Sequence, residues 1–116
     1  MANIYKDAKV DLTANTATTV YTVPSDSRSI VKSIIVSEDS GNADSITLTI
    51  TDASSNVFSL FKTKAVSANA TVELLSQPLV LQESEILKAT AATANRLHIV
   101  VSVLEINRSY YVYRKR

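Results

Sequence analysis

The sequence predicts an all-β fold: a single-domain antiparallel β-sandwich, jelly-roll or immunoglobulin-like, with about eight strands. Three observations predict it. Apolar and polar residues alternate along several segments, which is the period of a strand with one buried face. Turn-forming residues recur roughly every 8–12 positions, as they do in sandwiches and barrels. The 116 residues include one glycine and two prolines, so Ser, Thr, Asn and Asp must form most of the turns.

The clearest strand is SITLTIT at residues 45–51, where Ile46, Leu48 and Ile50 share one face and threonines occupy the other. The segment SIVKSIIVS at residues 29–37 is also strand-like, and the polar stretch between the two segments predicts that they form a hairpin. Further strands are predicted at residues 4–12, 18–23, 57–64, 71–76, 79–81, 85–91 and 96–106.

Two of these strands carry specific expectations. Pro78 cannot donate a backbone hydrogen bond, so it predicts a bend or an edge between two pieces of strand. The alanines within residues 85–91 would also suit a helix, but the stretch is short and rich in threonine, which favours a strand.

The segment at residues 96–106 is apolar on both faces. One face carries four aliphatic residues, and the other carries Val100, Leu104 and Ile106, interrupted by His98 and Ser102. A strand of this kind is either central in a sandwich or pressed against another chain. We therefore predict a partner interface at Val100, Leu104 and Ile106.

We place the sandwich domain at residues 1–106 and a basic, Tyr-rich tail at residues 107–116. Tyrosine and arginine often carry the binding energy of protein interfaces, so the predicted interface also includes Tyr110, Tyr111, Tyr113, Arg114 and Arg116. Two interpretations stay open: an arm that docks on a neighbour, or a final edge strand over the domain's own core. A third, contact of the basic end with nucleic acid, is a minor alternative.

Composition limits the classes of partner and compartment. The formal net charge is +1, whereas a dedicated nucleic-acid surface usually shows a strong basic excess, so a nucleic-acid partner is not expected. With so little net repulsion, association is easy. No apolar run suits a signal peptide or a membrane span, and the absence of cysteine favours assembly in a reducing cytoplasm.

The sequence predicts no catalytic residue and no enzyme. His98 is the single histidine and lies in an apolar strand, where such a residue is usually packed or hydrogen-bonded. Glu83 and Glu85 are spaced like a carboxylate pair, but they fall in a predicted turn, and the chain has no tryptophan as a sugar platform. One imidazole without cysteine makes a poor metal site.

Residues 38–44 supply side-chain oxygens that could hold Ca²⁺, those of Glu38, Asp39, Asn42 and Asp44. Their spacing departs from the helical calcium loop, and a turn between strands explains them sufficiently. We predict no metal and no cofactor.

Five phrases together resemble small virion structural proteins of tailed bacteriophages, of the marine or cyanobacterial type. They are TVYTVP at residues 19–24, IVKSIIVS at 30–37, NATVEL at 69–74, PLVL at 78–81 and RLHIVVSV at 96–103. The resemblance spans roughly residues 4–106 and follows the rhythm of strands and turns. The Tyr-rich tail extends beyond it.

The resemblance implies a non-enzymatic β-sandwich protein of the virion, assembled in the bacterial cytoplasm. Its expected role is a head decoration or cement protein that binds and stabilises the capsid lattice. The alternatives are a neck, collar or tail accessory protein at the head–tail connector, and a host-binding module of a fibre. The implied partners are major capsid, portal or tail proteins, together with copies of the same chain.

Overall fold

The computed structural model describes residues 2–107, which form nine strands and no helix. The predicted all-β class is confirmed. The strands are β1 (Ala2–Leu12), β2 (Thr18–Thr22), β3 (Ser27–Glu38), β4 (Asp44–Thr51), β5 (Val57–Val66), β6 (Thr71–Glu73), β7 (Leu79–Leu81), β8 (Ile86–Ala91) and β9 (Leu97–Asn107).

Two antiparallel sheets pack face to face. The five-stranded sheet has the order β1-β9-β3-β6, with β7 also paired to β3, and the four-stranded sheet has the order β2-β8-β4-β5. Apart from the β4–β5 hairpin and the two short pieces on β3, each strand is followed in the chain by a strand of the other sheet. When β6 and β7 are counted as one interrupted strand, this is the eight-stranded double Greek key of a jelly roll. The topology thus decides between the two sandwiches that the sequence left open.

The core lies between the inner faces of the sheets. β9 lies between β1 and β3, so the predicted alternative of a central strand is confirmed. Burial alternates along this strand. The four inward apolar side chains of β9 are at most 2% exposed: Leu97, Ile99, Val101 and Val103. Burying each of them stabilises the fold by about 1.5–3 kcal/mol.

The predicted hairpin between residues 29–37 and 45–51 is wrong. β3 pairs with β9, β6 and β7, whereas β4 pairs with β8 and β5 in the other sheet. The intervening residues carry the chain across the sandwich. Local turn chemistry predicted a turn correctly, but it could not reveal that β9, far along the chain, provides a longer partner for β3.

The hairpin of this fold joins β4 and β5. The Asp52 carboxylate accepts hydrogen bonds from the backbone N–H groups of Ser54 and Asn56, both at 2.9 Å, and Ser55 has a φ of 67°. These contacts close the turn without a glycine.

The expected break at Pro78 is confirmed, because β6 and β7 are separate pieces that both pair with β3. Residues 86–91 are strand β8, as the threonines favoured. β9 extends to Asn107, one residue past the predicted domain boundary, and the tail beyond it lies outside the described residues.

Candidate functional site: the outer face of the five-stranded sheet

A row of apolar side chains crosses the outer face of the five-stranded sheet. Leu104 of β9 is directly opposite Tyr5 of β1 and Ile30 of β3, and Ile30 is opposite Val80 of β7. Directly opposed residues of antiparallel strands point to the same face. The strands therefore align these four residues in one outer apolar row, the name used below.

The ends of the outer apolar row are the most exposed. Tyr5 is 77% exposed and Val80 is 56% exposed, while the two central side chains are half-buried by their neighbours. Exposed apolar residues are unremarkable singly, but a contiguous set marks a surface that can bury area against a partner. A tyrosine at one end adds a large ring with a polar tip, a combination common at interfaces.

Apolar side chains continue on either side of this row. Val100 is opposite Ile35, which is 36% exposed, and Ile106 is opposite Arg28. Glu73 of the edge strand β6 is opposite Ile35. A charged group therefore lies at this edge of the sheet.

Between the Val100 pair and the outer apolar row lies a polar row, in which Ser102 is opposite Asp7 and Ser33. The outer face therefore carries one apolar row, with separate apolar side chains on either side of it.

The structure places three predicted interface residues, Val100, Leu104 and Ile106, together on this outer face. Their role in binding stays a prediction. The remaining predicted residues lie outside the described part of the chain: Tyr110, Tyr111, Tyr113, Arg114 and Arg116.

Sequence reasoning missed Tyr5, Ile30 and Val80. Each belongs to a segment that was predicted as a strand, but alternation alone does not say which face meets the core. Tyr5, the first aromatic residue in the chain, was the available signal. Its alignment with Leu104 depends on pairing between the two ends of the chain.

His98 lies at the other end of the same face, between two carboxylates. Its Nε2 is 3.1 Å from Oδ1 of Asp39, and its Nδ1 is 3.3 Å from Oδ1 of Asp11. A catalytic triad uses one ring nitrogen for a carboxylate and the other for a nucleophile. Ser37 is opposite His98 in the sheet and carries a hydroxyl. Both ring nitrogens of His98 nevertheless face aspartates, so this arrangement does not activate that hydroxyl.

A polar network is buried at the inner side of β9. The Tyr21 hydroxyl donates to the Glu105 carboxylate and accepts from Ser29 Oγ at 2.6 Å. Lys6 Nζ is 3.4 Å from the same carboxylate. Burial, and then the neighbouring Glu105, raise the pKa of Tyr21 far above its ordinary value, so the phenol stays protonated and serves as a structural donor.

The carboxylate of Glu38 binds the backbone of the loop at residues 38–44, the loop whose side-chain oxygens could hold Ca²⁺ but for which the sequence predicts a turn and no metal. Its two oxygens accept the N–H groups of Ser40 at 2.8 Å, Gly41 at 3.1 Å and Asn69 at 2.9 Å, as well as the Ser40 hydroxyl. These hydrogen bonds, that of the Ser40 hydroxyl first, lower the pKa of Glu38 to about 2.

The other oxygens of this loop point to separate partners. Asp39 faces His98, and Asp44 accepts the Thr93 N–H at 3.1 Å. Within residues 2–107, no three side chains of His, Asp or Glu gather in a geometry that could hold a metal ion.

A shallow apolar groove opens at an edge of the sandwich, between β5 and the connection from β6 to β7. Its volume is about 330 Å³, near the lower limit of small-molecule sites. Among the described residues, its lining has no titratable side chain: Leu60, Phe61, Leu74, Leu75, Ser76, Gln77, Pro78 and Leu79. Because these residues include no charged side chain, the groove does not indicate a particular ligand or reaction.

Comparison with known proteins shows the fold. No protein-family model matches the sequence, and no curated protein matches it. A chain of the Bacillus endospore appendages, a family of disulfide-linked pili, is 11% identical with a TM-score of 0.55, over 90% of this chain and 88% of that one. The likeness shows a shared fold. The 116 residues here contain no cysteine, so they cannot form such a disulfide link.

Two viral chains have lower structural similarity. A chain of the cyanophage Pam1 capsid is 20% identical with a TM-score of 0.40, over 89% of this chain and 84% of that one. A chain of infectious bursal disease virus, Gt strain, is 9% identical with a TM-score of 0.48, over 96% of this chain and 31% of that one. Both scores fall below the level of a shared fold. In the described residues, no helix is long and apolar enough to cross a membrane.

Proposed function

We propose that this protein is a non-enzymatic structural protein of a bacteriophage virion, a head decoration protein that docks on the capsid lattice through its outer apolar row. The single observation that carries the proposal is that row, in which Tyr5 and Val80 remain 77% and 56% exposed at its ends. The sequence resemblance to tailed-phage virion proteins supplies the identity of the particle.

The sandwich suits this role because it holds the docking residues on a rigid sheet. Leu104 and Ile30 belong to adjacent strands that pair along 11 residue pairs, so the row is fixed before binding and little conformational entropy is lost on docking. A contact on one capsid site can be weak, because many copies on a symmetric shell act together.

The loops favour docking by the sheet over recognition of a host surface by the loop tips. The carboxylates of Glu38 and Asp52 accept backbone hydrogen bonds within the molecule, so they are already satisfied. The fibre alternative would need polar groups that are free to bind a ligand.

The test is co-sedimentation of the purified full-length chain with capsids of the source phage that lack it. We expect saturable binding of the natural sequence. We expect Val80→Lys to weaken it at least about tenfold, because a charge must then be desolvated at the contact. Val57→Lys is the matched control: Val57 is 62% exposed on the edge strand of the other sheet, and this change should leave binding unaltered.

Particles purified from a lysate provide a second measurement. The chain should be present in banded virions by mass spectrometry. Its recovery only in the soluble cell fraction, or equal loss of capsid binding in both lysine variants, would contradict the proposed function.

A further inference from the structure

The four sheet edges of the described residues differ in how well they could accept another strand. The β5 edge has two register shifts against β4 and a residue at positive φ, Thr63. The β2 edge is five residues long with a bulge, and β6 and β7 have three residues each. β1, in contrast, pairs with β9 through 11 consecutive residues without any shift.

A long, regular edge strand is a template for pairing with another chain unless its side chains prevent it. Rows of like charge are one such barrier. On the outer face of β1 the exposed charges instead alternate in sign, as Asp7, Lys9 and Asp11. Lys9 Nζ is 3.3 Å from Asp7 Oδ2, and both side chains are more than half exposed.

We propose that β1 pairs antiparallel with β1 of a second copy of this chain, about a two-fold axis at Ala8. This register places Asp7 opposite Lys9 of the second copy, and Lys9 opposite its Asp7. The existing ion pair of each chain then becomes one cluster of four alternating charges. Opposite charges that face each other across strands stabilise the pairing, whereas like charges destabilise it.

The neighbouring registers are unfavourable. A shift of two residues in one direction brings Lys9 opposite Lys9 and Asp7 opposite Asp11, and a shift in the other direction brings Asp7 opposite Asp7. A shift of one residue would set the outer face of one copy beside the inner face of the other. Among these neighbouring registers, the charge pattern therefore favours the one with Ala8 at its centre.

The same register covers an apolar side chain at the free end of the strand. Ile4 is 46% exposed although it is on the inner face, where it is opposite buried Glu105. In the proposed dimer Ile4 is opposite Leu12 of the second copy, which is already fully buried in its own core. The apolar surface removed from water is therefore that of Ile4, once at each end of the pairing.

Pairing about this axis joins the two five-stranded sheets into one sheet with both outer faces on the same side. The inference concerns free chains in solution and does not depend on the proposed virion role. If the dimer failed to form, single copies could still dock on capsids, each through one contact.

The test exchanges charges between two variants of the full-length chain. We expect light scattering to give the natural chain a mass twice its 12.6 kDa, and Asp7→Lys and Lys9→Asp each to be monomeric, because four like charges then meet. A mixture of the two variants should restore the dimer as a heterodimer, since one copy then carries two lysines and the other two aspartates. A monomeric natural chain, including one whose own tail occupies the edge, overturns the proposal, as does dimerisation of either variant alone.

A cysteine cross-link tests the register. Because the chain has no cysteine, Ala8→Cys introduces a single thiol that meets its equivalent at the two-fold axis, within disulfide reach. Val10→Cys, on the same face, is the control and would lie opposite Lys6 of the second copy. Oxidation should yield a covalent dimer for Ala8→Cys only, and a dimer linked through Val10→Cys instead overturns the proposed register.

Discussion

Two glutamates, Glu38 and Glu105, are buried to within 4% of complete burial, although a charged group is costly in an apolar interior. The fold tolerates each buried carboxylate because its oxygens accept several hydrogen bonds. Glu105 accepts from the Tyr21 hydroxyl and from Lys6, and Glu38 accepts from backbone groups. Each glutamate has at least one partner from a distant part of the chain, Tyr21 for Glu105 and Asn69 for Glu38, so each carboxylate joins separate segments.

The Tyr21 hydroxyl is expected to matter for stability. Tyr21→Phe removes the hydroxyl that donates to Oε2 of Glu105 and leaves Lys6 Nζ, at 3.4 Å, beside that oxygen. The free energy of unfolding should therefore fall by about 1–3 kcal/mol. Urea denaturation measures this change. Tyr5→Phe is the control: Tyr5 is 77% exposed, and loss of its hydroxyl should change stability by less than about 0.5 kcal/mol. Equal effects of the two substitutions would contradict the structural role of the network.

At the scale of elements, Glu38 connects the end of β3 to two loops. The chain leaves the five-stranded sheet at this residue, and Asn69, just before β6, has a φ of 58° and donates its N–H to the same carboxylate. The Glu38 N–H also donates to the Ala70 carbonyl at 2.9 Å. One side chain thus fixes the crossover to β4 and the approach of β6 to β3.

Glu38→Gln should destabilise the protein at neutral pH, because an NH₂ group would then replace one of the two oxygens that accept hydrogen bonds here. The pKa of Glu38 is lowered to about 2 from an ordinary value of 4.5, so the carboxylate's contribution is complete above pH 4.5 and is lost as the pH falls towards 2. The difference in Tm between the natural chain and the variant should therefore shrink across that interval.

Thermal unfolding monitored by circular dichroism between pH 7 and pH 2 provides the measurement. Asp39→Asn is the neighbouring control. Asp39 is 72% exposed and contacts only one side chain, His98, among its described partners, and exposed pairs of this kind contribute little. A pH-independent difference for Glu38→Gln would show that the carboxylate's charge is not what secures the loops.

At the scale of the whole molecule, the two proposed surfaces are compatible. The outer apolar row is on the open face of the five-stranded sheet, whereas β1 pairing uses the edge of that sheet. A dimer through β1 keeps both rows on one side, so two docking contacts can form at once. Linked contacts strengthen binding by raising the effective concentration of the second site.

This geometry predicts that dimerisation affects capsid binding. Asp7→Lys alone should bind capsids at least about tenfold more weakly than the natural chain, and addition of Lys9→Asp should restore the affinity. Titrated co-sedimentation checks both results. An affinity of Asp7→Lys alone equal to that of the natural chain would show that single copies dock independently.

Much of the fold could be predicted from local patterns. Alternation at residues 45–51 and 96–106 identified β4 and β9, and Pro78 marked the break between β6 and β7. The sequence also identified Val100, Leu104 and Ile106 as the second apolar face of β9. It could not reveal Tyr5, Ile30 or Val80 as their neighbours, because those alignments depend on which strands pair.

The sequence by itself determined the all-β class, because strand periodicity and turn chemistry are properties of neighbouring residues. Only the tertiary structure decided the jelly-roll order and the outer apolar row. The local pattern of β3 is the same whether it pairs with β4 or with β9. Pairing with β9 buries Val101 and Val103 in the same core as Ile34 and Val31. That cooperation between distant segments is a property of the packed molecule, which no local pattern encodes.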